Sequence, residues 1–169
     1  MRTITVAELV LEPLSVADAD TMFGVLSDPQ IYRHLDYGPP PSVEHLRHVY
    51  AKLEPRQSPD KSQLWLNWVV YRRGAGAMGY VQATVFPPGT AWVAYVLASQ
   101  YWGRGYAHMA TRAMLEHLAD AYGTTQYLAT VEAENRRSIR LLERLSFRPA
   151  TPQEAQRHDL AATERLFVR

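Results

Sequence analysis

An apolar run, Ala91 to Ala98, hands over through Ser99-Gln100-Tyr101-Trp102-Gly103-Arg104-Gly105-Tyr106-Ala107 to a long helical pattern, about Gly103 to Tyr122. This handover constrains the chain more than any other feature. Along the run Trp92, Ala94 and Val96 alternate with Val93, Tyr95 and Leu97, so both faces are apolar, as in a central strand covered on both sides. Two glycines two apart let the backbone take positive φ and approach a ligand closely. The helix after them brings unpaired N–H groups and the positive end of its dipole. Such a turn either simply joins a strand to a helix or grips an anion such as a pyrophosphate. The dinucleotide fingerprint G-x-G-x-x-G fails because position 108 is His, and the P-loop fails because no Gly-Lys-Ser/Thr is present.

The remaining segments read as alternating helices and strands around that unit. Glu8 to Leu14 alternates as a short strand stopped by Pro13, and Ser15 with Asp18 forms a near capping box for a helix to about Leu26. Asp28-Pro29 and Ser42 open two further helices, separated by Pro39-Pro40-Pro41. Leu64 to Arg72 and Met78 to Phe86 predict an antiparallel hairpin around Arg73-Gly74-Ala75-Gly76. Tyr127 to Glu132 is a strand, Glu134 to Ser146 an amphipathic helix, and Arg165 to Arg169 a final edge strand. Gly123 stands where a helix C′ residue would end the long pattern. The 169 residues make one domain, 1–169, with an α/β layered sheet.

Charge and cysteine content remove several function classes. Eighteen basic against seventeen acidic side chains leave no bulk field for nucleic acid or an anionic membrane. No cysteine is present, so disulfides, thiolate metal sites and cysteine nucleophiles are excluded. No apolar run reaches the length of a membrane span and no signal segment is visible, which predicts a cytoplasmic protein. His45 and His48 are the one histidine pair at helical spacing, too few ligands for a metal site, so no metal is expected.

A second constellation follows the loop: Asn135-Arg136-Arg137-Ser138-Ile139-Arg140-Leu141-Leu142-Glu143-Arg144-Leu145-Ser146-Phe147. Taken alone, Asn135 reads equally well as a helix cap. Taken together, Gln100-x-x-Gly103-x-Gly105-Tyr106-Ala107 resembles the acyl-CoA pyrophosphate loop of the GNAT superfamily of N-acetyltransferases. The Asn135 run is similar to that superfamily's Asn-x-x-Ser-x-x-Leu-x-Glu-x-x-Gly-Phe segment. The opening LVLEPLSVADADTMFGVLSDPQIYRHL resembles the ribosomal-protein N-terminal acetyltransferase-like branch, so the likeness spans about Leu9 to Phe147.

The resemblance implies a mixed, mostly antiparallel central sheet flanked by helices, with two neighbouring strands, Ala91–Ala98 and Tyr127–Glu132, splayed into an acyl-CoA cleft. It implies that backbone groups of Val96 and Leu97 pair with the pantetheine arm. The amides from Gln100 through Gly103, Arg104, Gly105 and Tyr106 to Ala107 would hold the pyrophosphate, with the Arg104 side chain either on a phosphate or solvated. Asn135 would bond the pantetheine, and Ser138 would lie near the sulfur. The Leu97 N–H is the candidate donor to the developing oxyanion.

Several positions depart from the family pattern. Trp92 stands where many relatives carry a Glu able to act as base, and Leu142 where many carry a Tyr general acid. Ala94 and Ser146 replace glycines, and Glu12 replaces an Arg. Ser138 is then the remaining hydroxyl candidate. Glu132, at a strand end near the cleft, is a candidate base as well as an ordinary solvated carboxylate. Tyr37, after the second helix start, reads as packing.

The expected function is transfer of an acetyl group from acetyl-CoA to an amine, a small molecule or a peptide N-terminus, by direct attack in a ternary complex. A monomer or homodimer is expected. The alternatives are a non-catalytic acyl-CoA-binding or sensing domain, an aminoglycoside-type N-acetyltransferase and a purely structural domain.

Overall fold

The structure, a computed structural model, describes all residues 1–169. Eight strands form one sheet in the order β1-β2-β3-β4-β5-β6-β8-β7. In chain order these are β1 (Ile4–Val6), β2 (Leu9–Pro13), β3 (Leu64–Arg72), β4 (Gly76–Phe86), β5 (Thr90–Leu97), β6 (Gln126–Glu132), β7 (Arg148–Pro149) and β8 (Glu164–Val168). The helices are α1 (Ala19–Leu26), α2 (Val43–Leu53), α3 (Tyr106–Tyr122), α4 (Arg136–Arg144) and the single-turn α5 (Pro152–Ala155). Every strand pairing is antiparallel except β5 with β6.

Alternation along the strands sorts their side chains into two covered faces. On one face Trp68, Met78, Val93 and Ala129 meet Ala110, Met114 and Leu118 of α3 and Leu142 of α4 in the main core. On the other, α1 and α2 bury Met22, Leu26, Leu46 and Tyr50 against Val69 and Ala77. Leu166, Val168 and Leu128 close the far end of that second face with Trp92. A strand with helices on one side and chain on the other is apolar on both faces, which explains the composition of β5.

Three local expectations need correction. The sequence places the last strand at an edge, but β8 lies between β6 and β7 and is bonded on both sides. The long helix begins at Tyr106 rather than Gly103, because Ser99–Tyr101 coils into a 3-10 turn and Gly103 and Gly105 take φ of 75° and 82°. The Asp28-Pro29 start yields only a 3-10 helix, Pro29–His34, although Asp28 does cap it by accepting the Gln30 N–H at 3.0 Å. The strand Ile4–Val6 is an addition that the sequence reading lacks.

Other punctuation acts as its chemistry requires. Ser42 accepts the His45 N–H at 3.1 Å and starts α2. Gly123 ends α3 in the left-handed region, with Thr124 N–H returning to the Leu118 carbonyl. Ser146 does the same work after α4 at φ 63°, a conformation that strains any residue with a Cβ.

Candidate active site

The site is a gap in the sheet. Strands β5 and β6 pair only over Thr90–Gln126, Ala91–Tyr127 and Trp92–Leu128. Beyond that point β5 stays with β4 as far as Leu97, while β6 follows β8 from Leu128 to Glu132. Each strand keeps its antiparallel partner, so the two must diverge.

The ladder decides which backbone groups face the gap. Ala98 donates its N–H to the Met78 carbonyl. Because antiparallel pairing alternates, the groups of Val96 point to Tyr80 on β4, and those of Tyr95 and Leu97 point toward β6. The expectation that Val96 offers its backbone to an arm in the gap is therefore replaced by Tyr95. The Val96 side chain faces a cavity on the opposite side of the sheet. The Leu97 carbonyl accepts the Trp102 indole N–H at 2.7 Å, which leaves the Leu97 N–H as the group without a strand partner.

At one end of the gap lies the glycine turn. A Cβ built on Gly103 or Gly105 would meet nothing within 4 Å, so protein packing does not require glycine there. The positive φ does, and the space above the backbone is open. The first amide bonded back to this turn is that of Met109, on the Gly105 carbonyl, so Tyr106, Ala107 and His108 present N–H groups with no intrahelical partner. No acidic residue occupies the first turn of α3. A cradle of outward amides at an uncompensated helix N-terminus fits a pyrophosphate. Gln100 and Arg104 are exposed beside it.

Two contacts that the sequence reading missed hold this turn in place. The Arg137 guanidinium stacks 4.1 Å from the Trp102 ring centroid, tying α4 to the loop. Asp28 accepts the Ser99 N–H at 2.7 Å, tying the 3-10 helix Pro29–His34 to the same loop. Ser99, through its hydroxyl beside the carboxylate and then its N–H, holds Asp28 below the usual carboxylate range, against a smaller opposing effect of burial. Neither pairing has a local spacing signature, because each joins segments distant in sequence.

Over the gap, the Tyr95 and Ser138 hydroxyls lie 2.7 Å apart. Burial pushes the Tyr95 phenol up to about 12, and the Ser138 contact draws it partly back. Tyr95 therefore stays protonated at ordinary pH. Asn135 accepts the Ser138 N–H at 3.1 Å through Oδ1, so it caps α4 and fixes the turn that carries Ser138. Leu142, where a phenol is usual, is 1% exposed in the core. Trp92, where a Glu is usual, packs edge-on against His158 at 5.1 Å between centroids. Glu132 accepts the Thr163 hydroxyl at 3.2 Å, on the β8 side.

On the other side of the sheet, under α1, α2 and the segment between them, is a cavity of about 300 Å³. Asn67 and Gln82, direct cross-strand partners, line it with Val96. Tyr37, expected as packing, is 54% exposed on this cavity and meets Tyr32 edge-on at 5.8 Å. No helix is long and apolar enough to cross a membrane.

Comparison with known proteins agrees with this arrangement. The family described as "Acetyltransferase (GNAT) domain" matches residues 8–148. An uncharacterized N-acetyltransferase, p20 of Bacillus licheniformis, is 24% identical over 149 residues, covering 87% of this chain and 83% of that protein. The structure of RimL, a ribosomal L7/L12 alpha-N-protein acetyltransferase solved in complex with coenzyme A, superposes with a TM-score of 0.79 at 15% identity, over 99% of this chain and 97% of that one. A GNAT-family acetyltransferase from Bacillus anthracis gives 0.77 at 19% identity, over 99% and 97%. With a family match across most of its length and a sheet split between β5 and β6, this chain belongs to the GNAT acetyltransferase family.

Proposed function

We propose that the protein transfers the acetyl group of acetyl-CoA to a primary amine by direct attack in a ternary complex. The observation that carries this reading is the divergence of β5 and β6 after Trp92–Leu128. It leaves a slot with an amide cradle at one end and the Leu97 N–H inside. RimL, of the same fold, binds coenzyme A, which supports the same cosubstrate here.

Acetyl-CoA supplies the activated thioester. The amides of Gly103 to Ala107 hold its diphosphate, and the Tyr95 and Leu97 backbone groups facing the gap line its arm. The Leu97 N–H donates a hydrogen bond to the acyl oxygen as negative charge develops there. The acceptor nitrogen forms a bond to the acyl carbon as the carbon–sulfur bond breaks; the amine loses one proton and the departing thiolate gains one. Ser138, hydrogen-bonded to Tyr95, is the hydroxyl that would give this proton, a role supported by its 2.7 Å contact with that phenol. Without a cysteine, no thiol of the protein can carry the acetyl group.

Calorimetry with acetyl-CoA, followed by release of CoA thiol over a panel of amines, tests this reading. Tight binding without turnover of any amine would instead favour an acyl-CoA-sensing domain. The absence of a Glu at Trp92 and of a Tyr at Leu142 motivates that alternative.

A further inference from the structure

The cavity under α1 and α2 differs in character from the glycine cradle. Eleven of its sixteen lining residues are hydrophobic, and none is Asp, Glu, Lys or Arg. Four tyrosines, Tyr32, Tyr37, Tyr50 and Tyr80, surround it. Tyr50 is 4% exposed, and its hydroxyl is buried with no hydrogen-bond partner. An unpaired buried hydroxyl is costly, so it marks a place where a polar atom of a ligand belongs. The Asn67 and Gln82 amides add neutral acceptors on the floor. Val96 forms part of the wall, one residue along β5 from the Leu97 N–H.

We propose that the acceptor is a small primary amine built on an aromatic ring, an arylalkylamine, with the ring in this cavity and the amine at the Val96 end; this rests on the acetyl-transfer reading above. The size agrees. A space of 300 Å³ is about ten water volumes, room for one ring and a short tail and at the small end of ligand sites. The walls agree as well, since four tyrosine rings, Tyr32 and Tyr37 of them edge-on to each other, favour an aromatic guest over an aliphatic one of equal area. Charge argues against a polyamine or aminoglycoside. Burial pushes the Tyr32 phenol up to about 12 and raises Tyr50 and Tyr80 too, so none supplies a counter-charge. A second ammonium group would enter a mostly apolar space whose lining holds no carboxylate.

The test gives the intact protein acetyl-CoA and one amine at a time: 2-phenylethylamine, tyramine, propylamine, spermidine, kanamycin or a hexapeptide with N-terminal serine. Release of CoA thiol is followed, and acetyl-CoA binding is measured separately by calorimetry. The aryl amines are expected to exceed propylamine in kcat/KM by about tenfold or more. Spermidine and kanamycin should stay near background. Val49→Trp, which fills the cavity, should raise KM for 2-phenylethylamine by about tenfold with acetyl-CoA affinity unchanged. Tyr50→Phe keeps the ring and the fold but removes the unpartnered hydroxyl, and should lower kcat/KM for tyramine more than for 2-phenylethylamine. Faster turnover of spermidine, kanamycin or the peptide overturns the substrate class and leaves acetyl transfer standing. So does turnover of propylamine with no aryl amine turned over, or a KM indifferent to Val49→Trp, whereas binding of acetyl-CoA with no amine of any kind turned over overturns acetyl transfer as well. Failure to bind acetyl-CoA at all overturns the transferase reading itself.

Discussion

The Tyr95 hydroxyl lies 2.7 Å from the Ser138 hydroxyl, joining the central strand to the first turn of α4. The same phenol approaches the Ser138 carbonyl at 3.2 Å, and the Ser138 N–H is held by Asn135. One tyrosine therefore orients the serine that the sequence offers as proton donor, in a protein whose α4 has Leu142 where a phenol is usual.

Tyr95→Phe should lower kcat by about tenfold to a hundredfold and leave acetyl-CoA affinity unchanged, with Ser138→Ala giving a similar loss and the double variant no further one. Steady-state kinetics of the three variants checks this; additive losses would show that the two hydroxyls act separately. The pH sign is also fixed. A phenol raised from 10 to about 12 on folding contributes stability that is complete below pH 10 and lost as pH rises through about 12. Tyr95→Phe should therefore flatten part of the alkaline fall in unfolding free energy.

Gly105→Ala tests the cradle with little disturbance elsewhere. The added Cβ meets no atom within 4 Å, but the residue must hold φ of 82°. The strain costs about 1 to 2 kcal/mol, a drop of a few degrees in Tm. CoA affinity should fall by about tenfold or more, because the methyl occupies the side from which a diphosphate approaches. Calorimetry with CoA beside a thermal melt separates the two effects. Unchanged affinity would place the cosubstrate elsewhere.

Ser146→Gly should stabilise the protein. Ser146 sits at φ 63° after α4, exposed, where Phe147 N–H returns to the Leu142 carbonyl at 3.0 Å. Glycine adopts this conformation without the Cβ penalty, although it has more freedom to lose from the unfolded chain. The net gain should be about 0.5 to 1 kcal/mol, read in a urea titration as a higher midpoint with unchanged slope.

Asp28→Asn should weaken the tie between the 3-10 helix Pro29–His34 and the loop at Ser99. The carboxylate accepts the Ser99 N–H at 2.7 Å and the Gln30 N–H at 3.0 Å, and its pKa is lowered from 3.8. A lowered carboxylate contributes stability that is present above its unfolded value and lost as pH falls through its folded one. In the wild type that loss comes below about pH 4. The variant should be less stable at neutral pH by about 1 kcal/mol or less, with a shallower acid limb in its melts between pH 2 and 5.

Much of the frame was legible along the chain because it depends on local chemistry. Asp28, Ser42, Gly123 and the Gly103–Gly105 turn act through neighbours no more than a few residues away, so their spacing announces them. The position of the last strand is not legible, because alternation reports which face is buried and says nothing about how many neighbours a strand has; β8 is bonded on both edges. The direction of the Val96 backbone groups is hidden from the sequence for a related reason. Which strand its N–H faces depends on the register with β4, set by pairing across a hairpin.

The sequence by itself determined the strand, the glycine turn and the helix after it, since backbone conformation and helix ends follow from adjacent residues. Only the tertiary structure decided where along their length β5 and β6 part company, that Tyr95 reaches Ser138, and that four tyrosines separated along the chain close around one cavity with no Asp, Glu, Lys or Arg in its lining. Those relationships join residues far apart in sequence, and they exist only once the sheet has twisted and its two faces have been covered.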